Sequence, residues 1–256
     1  MKQNRHNDTV VEQFSKQAIP FNKIKGHYDS VEILIKMSEI SKDNTVLDIA
    51  CGTGIVTCEF AKVAKQVVGL DLTQSMIDEA IKIQKENNLS NMSFDLGEVE
   101  SLPYADNSFD VVFTRYSFHH FLDTKKVFDE MIRVCKHNGK IMVVDVALET
   151  RFIDAYNHME KLRDPSHTKA LTFDEFAILF SDKRLSNHKQ VSYKVDLELE
   201  NQLKASFPNK GDDDKIREIF KEDLEKNYLG MNTNMKDKKI YFSYPITVFV
   251  SDKFNL

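Results

Sequence analysis

The chain has no long hydrophobic run. Its 256 residues contain no apolar stretch of about 18 residues, the length that indicates a membrane-spanning helix. The first residues, Met1 to Arg5, lead into polar sequence rather than into the apolar core of a secretory signal. We therefore expect no stable membrane anchor and no secretion, and we predict a cytoplasmic protein.

Cysteine and basic charge are also scarce. The three cysteines, Cys51, Cys58 and Cys135, follow neither metal-binding nor redox spacing, so the sequence predicts no metal site and a reduced compartment. The 35 basic residues are outnumbered by 40 acidic ones, which gives a net charge of −5. This balance argues against nucleic acid as a partner. No pattern in the chain indicates an oligomeric state.

The most informative pattern that is present runs from Val46 to Gly54. An apolar segment breaks into a turn that contains Gly52 and Gly54, and a second apolar segment ends on Asp71. Glycine lets the main chain turn sharply and approach a ligand closely, and a carboxylate at the end of the second strand can accept bonds from a ribose diol. The order predicts a βαβ unit that holds an adenosine-containing cofactor.

Two departures narrow the choice of cofactor. The third glycine of the dinucleotide fingerprint is replaced by Thr57, and no phosphate-binding Gly-Lys-Ser/Thr follows. Asp48 lies inside the first strand, where its charge would repel a pyrophosphate but suits a ligand that carries an ammonium group. The pattern therefore favours S-adenosylmethionine over NAD.

These segments resemble class I S-adenosylmethionine-dependent methyltransferases of the methyltransferase-11-like group, in the branch of the ubiquinone/menaquinone C-methyltransferases. Val46–Gly54 is similar to the first motif of that family, and three later segments match it as well. They are Gly97–Tyr104, Ser108–Phe113 and Arg115–Phe121. The resemblance covers roughly residues 40–147. It implies methyl transfer from S-adenosyl-L-methionine to an O, N or C atom of a small organic molecule, with S-adenosyl-L-homocysteine released.

The predicted architecture is α/β. Strands and helices alternate from about residue 31 to 147, which indicates a Rossmann-like, doubly wound and mostly parallel sheet. The resemblance implies seven strands, an antiparallel terminal strand and a helical cap. We predict a single domain over 1–256 with its core at about 41–147 and no internal repeat. Cap elements would be residues 1–40 and 148–185, followed by C-terminal strands and helices over 186–256.

Local signals refine this outline. Asp123 is a predicted helix N-cap, and Thr172 with Glu175 forms a predicted capping box. The pair Asn138-Gly139 is predicted to end the helix that begins after Asp123, as a C-cap. Near the C-terminus, Val191–Leu199 and Ile240–Ser251 alternate as strands, and the resemblance makes them an antiparallel pair.

The candidate cofactor residues follow the first four strands. By pattern and resemblance they are Asp48, Gly52, Gly54, Asp71, Leu72, Glu98, Val99 and Arg115. Asp48 is expected near the methionyl end and Leu72 beside adenine. The alternative for Asp71 is a charge that supports the N-terminus of the next helix. Glu98 is one methylene longer than the family's usual Asp, so the backbone amide of Val99 is the safer adenine contact.

The candidate substrate residues follow the fourth and fifth strands. They are Arg115, Tyr116, His119, His120, Arg163 and His167. The histidines His120, His119 and His167 are candidate bases or acceptor-positioning groups, because the unperturbed histidine pKa lies near neutrality. The alternative for each histidine is a structural role, and for the segment Arg163–His167 it is a simple turn between helices.

Three functions remain open at this point. The first is S-adenosylmethionine-dependent methyl transfer by in-line displacement, in which positioning supplies most of the catalysis. The second is an NAD-dependent oxidoreductase, and the third is a non-catalytic cofactor-binding protein of the same fold. The sequence does not identify the methyl acceptor.

Overall fold

A continuous sheet dominates the computed structural model, which describes residues 2–21 and 30–254. Seven longer strands follow one another across this sheet, and two short strands lie beside them. The strands are β1 (Thr45–Ile49), β2 (Gln66–Asp71), β3 (Met92–Leu96), β4 (Phe109–Arg115), β5 (Cys135–Leu148), β6 (Leu171–Thr172), β7 (Leu185–Glu198), β8 (Asn234–Lys236) and β9 (Lys239–Lys253).

The strand order across the sheet is β3-β2-β1-β4-β5-β9-β7. The first five of these strands are parallel, whereas β9 runs antiparallel to both β5 and β7. The short β6 pairs with β5, and β8 forms a hairpin with β9. The predicted mostly parallel sheet is therefore confirmed, with two short strands added to the seven predicted; the antiparallel strand is the last of the chain, β9, and it lies between β5 and β7.

Nine α-helices lie among the described residues, together with a short 3-10 helix at Phe118–His120. The α-helices are α1 (Lys2–Phe21), α2 (Val31–Ser38), α3 (Ile55–Ala61), α4 (Gln74–Glu86), α5 (Thr124–Val134), α6 (Thr150–Arg163), α7 (Phe173–Phe180), α8 (Leu199–Ser206) and α9 (Asp212–Lys226). Both predicted caps are confirmed: Asp123 accepts a bond from the amide of Lys126, and Thr172 and Glu175 form the capping box. None of the helices of residues 2–21 and 30–254 has the length and apolarity needed to cross a membrane.

The alternation of side chains along β4 separates two hydrophobic cores. Phe113 packs on one face of the sheet, where it stacks on Phe60 of α3 with ring centroids 4.5 Å apart. Val112 points to the opposite face, whose core includes Phe128 of α5 and Phe249 of β9. Since neighbouring residues of a strand point to opposite faces, β4 is buried from both sides and holds the centre of the sheet in place.

The sheet has its topological switch point between β1 and β4. From β1 the chain adds β2 and β3 on one side, and then it returns to add β4 and β5 on the other. Loops that leave the carboxyl ends of two such strands diverge and open a crevice in which ligands of doubly wound proteins bind.

The prediction for Asn138-Gly139 is wrong. Helix α5 ends at Val134, and β5 begins at the next residue, so the pair lies inside a strand. Asn138 has a φ of 62°, and the pairing of β4 with β5 shifts register beside it. A Cβ on Gly139 would lie 2.7 Å from the carbonyl oxygen of Asp110. The residue types that favour a helix C-cap also favour a bulge, because both need positive φ or no side chain.

The N-terminal cap consists of α1 and α2 as far as the structure describes it, since residues 22–29 lie outside the described residues. Helix α1 packs against α4 and α8 and so passes over the carboxyl ends of the strands. The predicted C-terminal pair is present as β7 and β9, both longer than predicted. Pairing between β9 and β5 stops at Ile246, and Pro245 is the residue just before it in the chain. The proline therefore lies where β9 has no partner strand on the β5 side.

Candidate active site

A cavity of about 1120 Å³, including the part that is open to solvent, lies at the carboxyl ends of β1, β2 and β4. Helix α1 forms its roof, with Asn7, Val10 and Phe14 among the lining residues. Seven of the eight predicted cofactor residues line this cavity: Asp48, Gly52, Asp71, Leu72, Glu98, Val99 and Arg115. The strands therefore bring together residues that are up to 67 positions apart in the sequence.

The two motif glycines have different surroundings. Gly52 has a φ of 55°, and a Cβ placed on it would meet no atom within 4 Å, because it borders open space. Gly54 has a φ of 73°, but its Cβ would lie 2.9 Å from Cζ of Phe94 and 3.0 Å from Cβ of Ala80. Gly54 is thus the one predicted cofactor residue that does not line the cavity, and it lets α3 begin close against its neighbours.

Asp71 joins the end of β2 to the glycine turn. Its Oδ2 accepts a bond from the amide of Gly52 at 2.8 Å, and its Oδ1 accepts one from the amide of Thr73 at 2.8 Å. Burial raises the pKa of Asp71, although these backbone bonds oppose the rise. An ionised carboxylate has about four acceptor sites, so two remain for hydroxyl groups in the cavity.

Asp48 is a second buried carboxylate in the same cavity, with 2% of its surface exposed. The hydroxyl of Thr57 donates to its Oδ2 at 2.6 Å. Burial raises the pKa of Asp48 to about 8, aided by the charge of Asp71 and opposed by Thr57 and Arg115. A carboxylate in this state gains from a cation placed beside it. Thr57, treated in the sequence only as a missing glycine, is the residue that holds it.

Arg115 and Tyr116 form a stacked pair at the end of β4. The guanidinium carbon of Arg115 lies 4.0 Å above the centre of the Tyr116 ring, and Nη2 lies 3.0 Å from the tyrosine hydroxyl. That hydroxyl also lies 2.9 Å from the hydroxyl of Tyr193 on β7. Tyr116 has a φ of 57° and Ala50, after β1, a φ of 54°. Both strands at the switch point thus end on strained residues that line the cavity.

A second cavity of about 770 Å³, including the part that is open to solvent, adjoins the first. It lies between α1, α6, α8, the carboxyl-terminal parts of β5 and β7, and the middle of β9. Four of the six predicted substrate residues line it: Tyr116, His119, His120 and Arg163. The two cavities have three lining residues in common, Phe14, Tyr116 and His120. We call these three residues, which border both cavities, the shared wall.

His119 is paired directly with a buried carboxylate. Its Nδ1 donates to Oδ1 of Asp145 at 2.7 Å, and its backbone amide donates to Oδ2 at 3.2 Å. Burial alone would lower the pKa of His119, but the charge and the hydrogen bond of Asp145 outweigh it and raise the pKa. The ring is 13% exposed and lines the second cavity only.

His120 reaches a carboxylate through a hydroxyl. Its Nδ1 lies 3.1 Å from Oγ of Ser166, and that hydroxyl donates to Oδ1 of Asp164 at 2.5 Å. The serine proton is used on Asp164, so Nδ1 of His120 is the donor to Ser166. Burial and the neighbouring His119 lower the pKa of His120 to about 3, which keeps the ring neutral.

His167 lines neither cavity. Its Nε2 donates to Oδ1 of Asn157 at 2.8 Å, and its Nδ1 is buried with no hydrogen-bond partner among the described residues. The ring lies behind His119, with centroids 5.4 Å apart, and burial lowers its pKa. The structure therefore gives His167 a packing position, which is the alternative that the sequence left open.

Arg163 reaches the second cavity as part of a buried ion pair. Its Nη2 lies 2.6 Å from Oε2 of Glu160, and its Nη1 donates to Oγ of Ser206. The other oxygen of Glu160 accepts a bond from the hydroxyl of Tyr244 at 2.8 Å. Sequence reasoning missed most polar residues of this cavity, namely Gln17, Asp145, Tyr156, Glu160, Gln202, Ser206 and Tyr244, whereas Asp164 belongs to the candidate segment Arg163–His167. They come from separate elements and share no motif, so no local signal marks them.

No group of three or more histidine, cysteine, aspartate or glutamate side chains is arranged to hold a metal ion within the part of the chain that the structure describes. The three cysteines are free thiols. Burial raises the pKa of Cys58 to about 11 and that of Cys135 to about 12.

Comparison with known proteins identifies this arrangement. A family model described as a methyltransferase domain matches residues 40–223. The chain is 32% identical to the uncharacterized methyltransferase YcgJ of Bacillus subtilis (strain 168) over 195 residues, which are 75% of this chain and 77% of that protein. It is 29% identical over 191 residues to the ubiquinone/menaquinone biosynthesis C-methyltransferase UbiE of Hydrogenovibrio crunogenus (strain DSM 25203 / XCL-2), covering 68% of this chain and 70% of that one.

The fold agrees with this relationship. The crystal structure of YcgJ from Bacillus subtilis superposes with a TM-score of 0.83 and 26% identity, over 90% of this chain and all of that one. The sequence resemblance noted for residues 40–147 thus extends over most of the chain. The chain belongs to the methyltransferase-domain family, and it is an S-adenosylmethionine-dependent methyltransferase.

Proposed function

We propose that the first cavity binds S-adenosylmethionine, that the second binds a small organic methyl acceptor, and that the methyl group crosses at the shared wall. The observation that carries this proposal is that two cavities of different chemistry meet at Phe14, Tyr116 and His120. A transfer between two bound molecules requires that their reacting atoms be held about 3–3.5 Å apart. Two adjoining cavities with one common wall supply such a meeting point.

The donor set of the first cavity fits this cofactor. Asp71 retains acceptor sites for the two ribose hydroxyls, and Asp48 offers a carboxylate to the amino group of the methionyl end. The hydroxyl of Thr73 lines the cavity and is buried without a hydrogen-bond partner among the described residues, so it can donate to or accept from a ligand. When bound, S-adenosylmethionine supplies a methyl carbon made electrophilic by its sulfonium.

The remaining cofactor assignments follow from position. Gly52 leaves room for the ligand beside the turn, and Leu72 lies next to Asp71, where it would cover one face of the adenine. Glu98 and Val99 follow β3, with the backbone amide of Val99 assigned to the adenine edge. Arg115, stacked on Tyr116, would line the methionyl end. Gly54 supports the turn without touching the ligand.

The acceptor is assigned to the class of small organic molecules. The second cavity is lined by apolar side chains of β5, β7 and β9 on one side and by polar groups of α6 and α8 on the other. Such a cavity is of a size that holds small molecules. The name of the UbiE relative describes C-methylation in ubiquinone/menaquinone biosynthesis, which supports an organic molecule as the methyl acceptor. The acceptor atom, O, N or C, is open at this level.

We further infer that the chain acts as one catalytic domain in the cytoplasm. Helix α1 of the N-terminal cap lines both cavities, and so α1 and the strand ends would act together. The free thiols agree with a reduced compartment.

Calorimetric titration of the purified protein with S-adenosylmethionine, S-adenosylhomocysteine and NAD tests the cofactor site. We expect binding of the first two and none of NAD. Binding of NAD alone would favour an oxidoreductase instead. Transfer of a labelled methyl group from S-adenosylmethionine to a panel of phenols, amines, thiols and carbon acids then tests catalysis. Cofactor binding without transfer to any of them would favour the non-catalytic alternative.

A further inference from the structure

The second cavity contains a histidine–carboxylate pair that the methyl-transfer proposal does not by itself require. Asp145 is 1% exposed and accepts three hydrogen bonds, two from His119 and one from the amide of Val146 at 2.7 Å. Both carboxylate oxygens therefore accept hydrogen bonds, which fixes the orientation of the Asp145 side chain. With Nδ1 of His119 held by Asp145, Nε2 is the ring nitrogen available to the cavity, and it has no hydrogen-bond partner among the described residues.

We propose that His119, oriented by Asp145, is the general base that removes a proton from the acceptor, and that the acceptor carries a phenolic or enolic hydroxyl. This assignment rests on the proposed function, since it places the acceptor in the second cavity. Asp145 acts as a positioning residue, because it fixes the tautomer of His119 and stabilises the imidazolium that forms.

The other two histidines are less suited to this task. His120 donates from Nδ1 to Ser166 and is flanked by His119, with ring centroids 4.3 Å apart, so a proton on His120 is disfavoured. His167 lies outside both cavities. His120 in the shared wall is thus a neutral acceptor that can orient the hydroxyl, while His119 takes the proton.

The groups that face His119 set its charge. The carboxylate of Asp145 and the more distant Glu160 favour the imidazolium, and Arg163 opposes it. His120 and His167 lie beside the ring and compete with it for a proton. The direct contact with Asp145 outweighs the others, so His119 is the strongest base among the three histidines.

The cavity itself indicates the class of acceptor. An imidazole whose pKa is raised by the contact with Asp145 matches hydroxyls such as a phenol, whose pKa is about 10, better than it matches the less acidic aliphatic alcohols. Tyr156 is 2% exposed, and its hydroxyl has no hydrogen-bond partner among the described residues, so it is free to bind a polar ring substituent. An ammonium acceptor is disfavoured because Glu160 and Asp164 already accept bonds from protein donors.

The reaction balances without any further reagent. The acceptor hydroxyl gives its proton to Nε2 of His119, and its oxygen lone pair forms the new bond to the methyl carbon. The bond between that carbon and sulfur breaks, and its electron pair stays on sulfur in S-adenosylhomocysteine. The proton leaves His119 for solvent after the products depart.

The test uses 4-nitrophenol, whose phenolate absorbs visible light and whose phenol does not. The protein is saturated with S-adenosylhomocysteine, so no methyl transfer occurs. The probe is then added to the protein in steps, in a buffer whose pH is one unit below the pKa of the probe in water. We expect the bound probe to ionise in the native protein and to remain a phenol in His119→Gln. In Asp145→Asn the phenolate-to-phenol ratio should fall roughly tenfold, the equivalent of one pKa unit. His158→Gln removes an exposed histidine of α6 and should match the native protein.

Each outcome separates the two proposals. Failure of the native protein to bind S-adenosylhomocysteine would overturn the proposed function. If that ligand binds but 4-nitrophenol does not, the assignment of a hydroxyl acceptor is wrong. Ionisation that persists in His119→Gln, or that is lost only in His120→Gln, would overturn the assignment of the base. Asp145→Asn keeps the side-chain size, so it remains informative if His119→Gln does not fold.

Discussion

The Oδ2 atom of Asp71 lies 2.8 Å from the backbone nitrogen of Gly52. This bond ties the end of β2 to the turn that follows β1, so one carboxylate both shapes the turn and borders the first cavity. Both interpretations of Asp71 offered by the sequence are thereby compatible, because its other oxygen accepts a bond from Thr73 at the start of α4.

Replacing Asp71 should weaken the cofactor complex. Asp71→Ala removes a charge-assisted acceptor and leaves the amide of Gly52 without its bond, so we expect a loss of about 1.5–3 kcal/mol in the binding of S-adenosylmethionine. Calorimetry measures this loss. Asp78→Ala, an exposed carboxylate on α4, is the matched control and should bind as the native protein does. Equal affinities in both variants would remove Asp71 from the ribose role.

Cofactor binding should release a proton from Asp48. The pKa of this carboxyl is raised to about 8, so it is largely protonated at pH 7 and must ionise to pair with an ammonium group. Below pH 8 we therefore expect affinity to rise with pH, by at most about tenfold per unit. Titrations in buffers of different ionisation enthalpy count the proton. In Asp48→Asn the release should disappear, and its persistence would assign the proton to another group.

The same shift predicts how Asp48 affects stability without cofactor. Because the folded pKa is above the unfolded value, ionisation destabilises the fold, and the penalty grows as pH rises from about 4 to about 8. Asp48→Asn should therefore raise the melting temperature at pH 8 and leave it nearly unchanged at pH 4. An equal gain at both pH values would show that the substitution acts through packing instead.

Alanine substitution at the two motif glycines should have different effects: at Gly54 mainly on stability, and at Gly52 mainly on cofactor binding. Gly54→Ala adds left-handed strain to a collision with Phe94 and Ala80, for a loss of about 2–5 kcal/mol in the free energy of unfolding. Gly52→Ala meets only open space, so its stability cost should be about 1–2 kcal/mol. Its methyl group enters the cavity, however, and should weaken S-adenosylmethionine binding. Chemical denaturation and calorimetry separate the two effects, and identical behaviour would contradict this division.

The buried pair of Arg163 with Glu160 should contribute strongly to stability. Arg163→Met leaves a buried carboxylate without its partner, which costs about 3–5 kcal/mol. Arg151 lies on the same helix as Arg163, and Arg151→Met breaks only an exposed pair with the N-cap residue Glu149, so it should cost about 0.5 kcal/mol or less. Thermal unfolding compares the two variants. A similarly small loss of stability in both variants would mean that Arg163 contributes little to folding, which would favour a role in binding the acceptor.

The sheet and the first cavity could be predicted because their signals are local. The turn at Gly52 and the carboxylates Asp48 and Asp71 belong to one contiguous βαβ unit, and alternation of strands and helices fixes where its strand ends lie. It could not be predicted that Gly54 faces the ring of Phe94 rather than the cavity, because the spacing of glycines identifies a turn but not the residues packed against it. The position of His167 likewise depends on Asn157, which no motif connects to it.

The second cavity escaped prediction for a different reason. Glu160, Ser206 and Tyr244 meet only because α6, α8 and β9 pack together, and each is an ordinary helix or strand residue in the sequence. The segment Arg163–His167 was a candidate in the sequence, but its pattern is equally typical of a turn, so the bonds from His120 to Ser166 and from Ser166 to Asp164 could not be predicted. The roles of the individual site residues stay predictions until the variants above are measured.

The proposed binding of cofactor and acceptor in two separate cavities has a consequence for how acceptor specificity can change among relatives. In our proposal the turn that holds the cofactor is built from residues 48–73, whereas the lining of the second cavity comes mainly from residues 145–206 and from β9. Exchange of the later segments between relatives would alter which acceptor fits and leave the bonds of Asp71 untouched. Among the described residues, Phe14, Tyr116 and His120 are the three that line both cavities, so these positions limit how far the two cavities can be changed independently.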